Sequence, residues 1–309
     1  MTTSAIPSLW DDRLAETLDE AGLLLYRSNL LGSDLRITNF GGGNTSAKIR
    51  MNDPLTDEPV TVLWVKGSGG DLGSMKLDGF ATLYLDKLES LKPRYRGIAH
   101  EDEMVEYLPY CTSNLNPRAA SIDTPLHAFV PWRHVDHVHP DAVIAIAASR
   151  DAEALTREIY GGEIGFLPWQ RPGFDLGLKL GEMAKADPQY AGVVLGGHGL
   201  FTWAESAKEC YLTTLRIINK AADWLAARQK RPPLGGERVP ALDRDHRRHT
   251  AIGLMPEIRG RICTGLAWAG LTMDTGQNDQ TVGREGRISA DGSKLHAWVI
   301  PTNEELLIA

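Results

Sequence analysis

Short apolar runs alternate with amphipathic stretches along most of this chain, and that alternation is the feature that most limits its fold. The apolar run AGVVLGGHGLFTW begins at Ala191 and precedes a long segment in which Cys210, Leu215 and Ile218 share one helical stripe. Earlier, VTVLWVKGSGG is typical of a strand that ends in a glycine loop, and a helix is predicted from about Asp151. Strands interspersed with helices predict an α/β domain.

Three other segments are assigned from weaker patterns. Residues 10–31 have leucines at turn spacing and predict one amphipathic helix. Residues 35–51, LRITNFGGGNTSAKIRM, predict two strands joined by a glycine loop, and FATLYLDKLESL at 80–91 predicts a helix. The segment RHVDHVHPDAVIAIAAS, at 133–149, contains three histidines, and its apolar character predicts a buried strand beside them.

Composition limits the class of protein. The 309 residues carry a formal net charge of -7, with 24% charged and 42% hydrophobic residues, which is ordinary for a globular enzyme. A chain of this charge has no positive field to attract nucleic acid or an anionic membrane, so local donors must hold any anionic ligand. The three cysteines are far apart and the N-terminus lacks the apolar segment of a signal peptide, so we expect a cytoplasmic protein. No apolar run approaches the ~20 residues that span a bilayer.

The end of the chain follows a different pattern. After Ile262, the sequence keeps neither a helical nor a strand period for long and is rich in glycine, aspartate, glutamine and threonine. We therefore expect one domain over 1–262 and an atypical tail over 263–309. That tail is either loosely ordered or the altered or truncated end of a domain.

Two histidines separated by one residue form the first candidate site. Side chains two apart in a strand project from the same face, so His137 and His139 can chelate one ion. His198, in the glycine-flanked turn LGGHGLF, is the candidate third ligand, and a catalytic zinc site keeps a further position open. The alternative is that these histidines bond only to solvent and backbone, because H-x-H spacing is common by chance. His127 is interpreted as a packed or supporting group.

Two glycine loops can bind an anion. The loops NFGGGNTSAK (39–48) and VKGSGGDLG (65–73) offer bare amides and small hydroxyls, and Lys66 adds a cation. The first loop does not have P-loop spacing and does not open a helix as a dinucleotide fingerprint does. Each loop alone could be a simple turn. Together with the histidine pair they indicate a phosphorylated substrate beside a metal.

The segment ASIDTPLHAF supplies a carboxylate. Asp123 lies before the histidine segment, and a carboxylate near a metal-bound carbon acid can act as a general acid and base. The same pattern fits a helix N-cap, because Ser121 or Asp123 precedes TPLHAF and Pro125 falls in the first turn. If Asp123 is only a cap, the next candidate acids are Glu101, Asp102 and Glu103.

Five motifs in order, GGGNTS, KGSG, SIDTPLH, HVH and GGHG, make the segment from about Trp10 to Arg261 resemble the class II aldolase/adducin family. SIDTPLHAFVPWRHVDHVHPDAVIAIAAS is most similar to the aldolase half of bifunctional rhamnulose-1-phosphate aldolase/lactaldehyde dehydrogenase proteins. The resemblance implies an α/β fold with three α/β/α layers around a central mixed β-sheet. It also implies a homotetramer with active sites at subunit interfaces.

The resemblance assigns roles to residues. His137, His139 and His198 match the family's zinc ligands, which implies one Zn²⁺ per chain. Asp123 stands where the family usually has a catalytic glutamate, which is one methylene longer. The positions that match the family's phosphate-binding residues are Gly43, Asn44, Ser68, Gly69 and Ser121.

The implied function is zinc-dependent retro-aldol cleavage of a ketose 1-phosphate. The substrate that the resemblance favours is L-rhamnulose 1-phosphate, cleaved to dihydroxyacetone phosphate and L-lactaldehyde in rhamnose catabolism. Within the family, the alternatives are a pentulose-phosphate epimerase and a methylthioribulose-phosphate dehydratase. A non-catalytic adducin-like interaction module is a third alternative, and the presence of all three histidines counts against it.

Overall fold

The computed structural model describes residues 5–114, 118–229, 243–282 and 284–300. The chain divides into two compact units, Met1–Lys230 and Arg231–Ala309. This division lies N-terminal to the boundary at 262/263 that the change in sequence pattern suggested. The helices within the described ranges include none whose length and apolar character would let it cross a lipid bilayer.

A seven-stranded mixed sheet organises the first unit. Its strands are β1 (Asn44–Asn52), β2 (Pro59–Lys66), β3 (Phe80–Tyr84), β4 (His134–Val138), β5 (Ile164–Leu167), β6 (Gly192–Leu195) and β7 (Gly199–Ala204). Their spatial order is β3-β2-β1-β4-β7-β6-β5. Strands β5 and β6 are parallel, and every other neighbouring pair is antiparallel. The histidine strand β4 therefore lies at the centre of the sheet, between β1 and β7.

Helices cover both faces of this sheet. They are α1 (Asp12–Ala15), α2 (Glu20–Gly32), α3 (Leu85–Glu89), α4 (Glu101–Tyr107), α5 (Thr124–Phe129), α6 (Asp141–Ala147), α7 (Ala152–Tyr160), α8 (Phe174–Ala186) and α9 (Ala207–Arg228). Helices α2, α6, α7 and α9 contribute to one apolar core, and α3, α4, α5 and α8 to those on the opposite face. Alternate side chains of β6 point to opposite faces of the sheet: Val194 packs in the first core, and Val193 and Leu195 pack in a core on the opposite face. The expected three-layer α/β/α fold is confirmed.

Four local predictions were wrong, each where a short pattern was ambiguous. Residues 10–31 form two helices, because the side chain of Asp19 accepts from the amide of Gly22 and starts α2 there. Residues 35–43 contain turns and no strand, so only β1 follows the glycine loop. The segment 80–91 begins as strand β3 and becomes helical at Leu85. The run DAVIAIAAS is helix α6, since a short apolar run does not distinguish a buried helix from a strand.

The second unit contains α10 (Arg244–Gly265), α11 (Thr275–Gln280) and a two-stranded sheet of β8 (Gly286–Arg287) and β9 (Trp298–Val299). A small apolar cluster of Cys263, Leu271 and Ile288 lies within it. The described part of the tail after Ile262 thus has short elements of regular structure around a core of its own.

Candidate metal centre and neighbouring carboxylate

Three imidazoles meet at one end of the central strands. His137 lies in β4, His139 follows the last residue of that strand, and His198 lies in the turn between β6 and β7. Antiparallel pairing of β4 with β7 places Val138 opposite Leu200 and so brings this turn to the end of β4. One ligand atom from each histidine lies within 4.8 Å of the others. The structure therefore brings together all three predicted ligands, although they come from two distant parts of the chain.

Hydrogen bonds decide which nitrogen of each paired ring faces this cluster. His137 Nδ1 lies 3.1 Å from the carbonyl oxygen of Leu200, which can only accept, so Nδ1 carries the proton. His139 Nδ1 lies 3.2 Å from Oδ1 of Asn39, which fixes the same tautomer. The two Nε2 atoms, 3.0 Å apart, then turn lone pairs toward each other. Facing lone pairs repel unless a cation lies between them, so this donor set fits a divalent metal ion.

The electrostatic surroundings keep all three rings neutral. Burial lowers the pKa of His137 well below its ordinary value, and the neighbouring histidines add to the effect. Burial, with His198 and Lys66, lowers the pKa of His139 to about 4. Burial also lowers the pKa of His198, although the charge of Asp123 opposes this. Neutral imidazole is the form that binds a metal, so an ion need not displace protons near neutral pH.

Close packing holds the imidazoles in place. The ring of Phe201 stacks on His137, with the centroids 4.3 Å apart and the planes at 13°. A Cβ atom at Gly199 would lie 2.9 Å from Cδ2 of His139. A Cβ atom at Gly43, where φ is +70°, would lie 2.6 Å from the carbonyl oxygen of His137. Both glycines are therefore required for the close approach of loop backbone to the histidines.

Asp123 precedes α5 but does not cap it through its side chain, because the carboxylate makes no capping hydrogen bond in this helix. Its Oδ2 instead accepts from Nδ2 of Asn44 at 2.7 Å. Its Oδ1 is buried and has no hydrogen-bond partner among the residues that the structure describes. Burial raises the pKa of Asp123, while Asn44, His198 and Lys66 lower it. The helix-cap alternative thus does not describe this carboxylate, which lies close enough to His198 for their charges to interact.

The three fallback acids contact other parts of the first unit. Glu101 accepts from the amide of Phe174 at the start of α8 and from the hydroxyl of Tyr95. Asp102 forms an ion pair with Arg171 at 2.6 Å. Glu103 forms an ion pair with Arg96, and its Oε1 lies 2.7 Å from Nδ1 of His100. These contacts favour Asp123 as the carboxylate of the site.

The loop 67–70 lies against the turn that leads into α5. The amide of Ser68 donates to the carbonyl of Ala119, and Nη2 of Arg118 donates to the carbonyl of Ser68, both at 2.9 Å. Oγ of Ser121 accepts from the amide of Asp123 at 3.2 Å, so its own hydroxyl proton can point to another acceptor. The structure therefore brings Ser68 and its neighbour Gly69, where φ is +67°, beside the segment of Ser121.

Asn44 occupies a different position from the other predicted phosphate residues. Its Nδ2 contacts Asp123, and its Oδ1 lies 2.6 Å from Nε2 of His127. The amide side chain therefore links the carboxylate to a buried histidine. Gly43, the residue before it, keeps its place at the edge of the metal cluster.

Sequence reasoning missed two supporting residues, Asn39 and Arg118. Asn39 opens the motif NFGGGNTS, which was interpreted only as an anion loop, yet its side chain orients His139. Arg118 lies in NPRAASID and gave no periodic signal, yet its guanidinium lies on the loop of Ser68. His127 was interpreted as a packed or supporting group, and its partner Asn44 is 83 residues away in sequence. A regular spacing could not have revealed such distant partners.

The end of the chain is similar to a different protein. Residues 254–309 match the model of the acetokinase family. An acetate kinase from Solibacter usitatus (strain Ellin6076) is 67% identical over 54 residues, which are 18% of this chain and 13% of that enzyme. This similarity covers the region where the sequence pattern changes.

Three comparisons each cover most of this chain. An uncharacterized oxidoreductase, YuxG, of Bacillus subtilis (strain 168) is 39% identical over 259 residues, which are 83% of this chain and 37% of that protein. The solved N-terminal class II aldolase domain of a conserved protein from Thermoplasma acidophilum has 29% identity and a TM-score of 0.61, covering 73% of this chain and 99% of that one. Residues 23–225 match the model of the class II aldolase and adducin N-terminal domain. The chain belongs to the class II aldolase and adducin family.

Proposed function

We propose that this chain cleaves a carbon–carbon bond of a ketose 1-phosphate, with L-rhamnulose 1-phosphate as the substrate and dihydroxyacetone phosphate and L-lactaldehyde as the products. The observation that carries the proposal is a cluster of three neutral imidazoles beside the carboxylate of Asp123, whose buried Oδ1 has no hydrogen-bond partner among the described residues. A cation and a general acid/base together are what cleavage next to a carbonyl requires. Membership of the aldolase family supports this reaction type.

We propose that His137, His139 and His198 hold one Zn²⁺ per chain. Such an ion, when bound, supplies a Lewis acid for the substrate's carbonyl and neighbouring hydroxyl oxygens. The protein's own contribution is to present three neutral nitrogens and to hold the ring of His137 against the stacked ring of Phe201. Hydrogen bonds to the outer nitrogens of His137 and His139 hold those rings in one orientation.

In this proposal, Asp123 moves a proton at the reacting carbon. Cleavage breaks the C3–C4 bond: the C4 hydroxyl gives its proton to Asp123 as the aldehyde forms, and the electron pair remains on C3. Asp123 then delivers a proton to C3 through Oδ1, since Oδ2 is held by Asn44. Burial raises the pKa of Asp123 and so favours a carboxyl group that carries a proton for part of the cycle.

The glycine loops are proposed to hold the phosphate group. The proposed donors are the backbone amides of Gly43 and Gly69 and the hydroxyls of Ser68 and Ser121. Asn44 is included because it lies in the same loop as Gly43. Lys66 and Arg118 add positive charge on the same side of the site. An acidic protein can thus bind an anion, because its donors and cations are concentrated at one place.

We further propose that the protein is a cytoplasmic homotetramer that acts in rhamnose catabolism. Three free, buried cysteines, Cys111, Cys210 and Cys263, are in keeping with a reducing compartment. The relative from Bacillus subtilis is named an oxidoreductase, but this chain spans only 37% of it. The proposal for this chain therefore depends on the histidine and aspartate site rather than on that name.

The test combines metal analysis with a coupled assay on the full chain. Release of dihydroxyacetone phosphate is followed through NADH oxidation by glycerol-3-phosphate dehydrogenase, over a panel of ketose phosphates. We expect about one zinc ion per chain, cleavage of L-rhamnulose 1-phosphate, and loss of activity with a chelator. Epimerisation or dehydration of a panel member without this product would replace the aldolase proposal. A metal-loaded protein that converts no panel member would favour the adducin-like alternative.

A further inference from the structure

A chain of buried hydrogen bonds runs from Asp123 into the core. Nδ2 of Asn44 donates to Oδ2 of Asp123 at 2.7 Å, and Oδ1 of Asn44 lies 2.6 Å from Nε2 of His127. Nδ1 of His127 lies 2.8 Å from Oγ of Ser46. Asn44, His127 and Ser46 are 5%, 0% and 0% exposed. Side chains from β1, from α5 and from its N-cap Asp123 therefore form one continuous polar line that runs from the site into the buried interior.

The carboxylate sets the direction of every bond in this line. An ionised carboxylate can only accept, so Asn44 turns its amide nitrogen toward Asp123 and its oxygen toward His127. His127 must then carry its proton on Nε2 and accept from the hydroxyl of Ser46 on Nδ1. Burial lowers the pKa of His127 well below its ordinary value, and the charges of Lys48 and Arg27 add to this, so the ring holds one proton.

The ring of His127 is itself held from other sides. It lies 5.4 Å from the ring of Phe201, centroid to centroid, and Phe201 stacks on the metal-site residue His137. The backbone carbonyl of His127 accepts from the Nζ atom of Lys48 at 2.9 Å. One imidazole is thereby fixed relative to both the histidine cluster and the carboxylate.

We propose that His127 is a positioning residue, which acts through Asn44 to hold Asp123 in the rotamer that presents Oδ1 to the substrate. The inference rests on the proposed function of Asp123. Oδ2 is occupied by Asn44, whereas Oδ1 is buried with no hydrogen-bond partner in the described parts of the chain. A short aspartate side chain reaches a reacting carbon only from a narrow range of angles, so an error of about 1 Å can cost ~100-fold in rate.

The experiment follows deuterium exchange at the hydroxymethyl carbon of dihydroxyacetone phosphate with the zinc-loaded full chain. In this half-reaction the carbon's proton passes to Asp123, exchanges with solvent deuterium, and a deuteron returns to the same carbon. His127→Leu should lower kcat for exchange about 10- to 100-fold, with KM and zinc content unchanged. His127→Gln, which offers one donor and one acceptor, should recover part of the rate.

Thr202→Val is the matched control. It removes a buried hydroxyl–hydroxyl bond of 2.6 Å to Thr214 on the opposite face of the sheet, so it tests for a general loss of packing. We expect normal exchange from it. Equal losses in Thr202→Val and His127→Leu, or no loss in His127→Leu, would overturn the proposal.

A second readout does not depend on activity. Long-range ¹H–¹⁵N spectra of the imidazoles should show His127 protonated at Nε2 alone, and protonation at Nδ1 would overturn the hydrogen-bond direction. If the wild-type chain exchanges no proton while His127 has the expected tautomer, then the role of Asp123 fails rather than the geometry. The proposal that His127 positions Asp123 for catalysis would then be overturned as well.

Discussion

At the scale of single residues, two of the three metal-site histidines are oriented by different kinds of neighbour. His137 is oriented by the backbone carbonyl of Leu200, whereas His139 is oriented by the side chain of Asn39. A backbone acceptor survives most substitutions, but a side-chain acceptor can be removed. The two orientations are therefore separable by mutation.

We predict that Asn39→Ala weakens zinc binding about 10- to 100-fold without unfolding the chain, because His139 loses the acceptor that fixes its tautomer. Asn52→Ala is the control, since Asn52 makes a similar side-chain bond to Asp57 at an exposed site. Competition with a coloured chelator measures both affinities. A His137→Ala/His139→Ala double variant should retain almost no zinc, and equal affinity in Asn39→Ala and wild type would contradict the assigned orientation.

A second prediction concerns acid stability and His134. Nδ1 of this buried ring lies 2.7 Å from Nη1 of Arg27, and burial together with that charge lowers its pKa to about 2. The unfolded value is about 6.5, so the unfolded chain binds a proton between these limits that the folded chain does not. Stability from the neutral ring is therefore present above pH 6.5 and is lost as the pH falls toward 2.

His134→Gln, which cannot titrate in this range, should lose less stability than wild type between pH 7 and pH 4. The expected divergence is at most ~1.4 kcal/mol per pH unit, which is the slope for one proton. Urea unfolding at several pH values measures it. Parallel stability curves for the two proteins would show that His134 is protonated in the fold.

At the scale of elements, the glycine loop before β1 brings one strand close to another. Gly41 and Gly43 have nearly equal positive φ values, +71° and +70°, so alanine strains both backbones similarly. Only at Gly43 would the new Cβ meet another strand, 2.6 Å from the carbonyl of His137, while Gly41 has nothing within 4 Å. The pair therefore separates backbone strain from contact with β4.

We predict that Gly41→Ala costs roughly 1–2 kcal/mol of unfolding free energy, which is the usual cost of a left-handed alanine. Gly43→Ala should cost more and should also lower zinc affinity, because the contact displaces His137. Thermal unfolding and zinc titration of both variants provide the measurement. Similar losses of unfolding free energy and zinc affinity in the two variants would mean that β4 can shift to accommodate the new Cβ atom at little cost.

Some of these elements were predictable from the sequence, and the reason others were not is physical. Helix α9 has a long amphipathic stripe, and His198 lies in a glycine turn that its neighbours mark clearly. The segment of α6 is uniformly apolar, so neither period is present to distinguish helix from strand. The alignment of Asn44 with Asp123, 79 residues apart, depends on packing of α5 against the sheet, which local patterns do not encode.

At the scale of the whole molecule, each of the two units contains its own apolar clusters. Among the residues that the structure describes, four clusters lie within the first unit, and the cluster of Cys263, Leu271 and Ile288 lies within the second. A domain with complete cores can fold alone.

We predict that a chain ending at Lys230 folds cooperatively and binds zinc with the affinity of the full chain, because all three histidines and their supporting partners lie within it. Calorimetry and zinc titration on the 1–230 fragment measure this, with the full chain as the reference. A fragment that is unfolded, or that binds zinc at least 10-fold more weakly, would contradict the independence of the first unit.

Strand β4 separates two environments, with His137 on one face and Asp136 on the other. Asp136 forms a fully buried ion pair with Arg27 of α2, 2.9 Å from Nε to Oδ1. If β4 slipped by one residue against its neighbours, a valine or histidine would face the guanidinium, and an unpaired buried charge costs roughly 3–5 kcal/mol. The ion pair thus favours a single register of β4, because a misaligned strand would leave the buried guanidinium of Arg27 without its carboxylate.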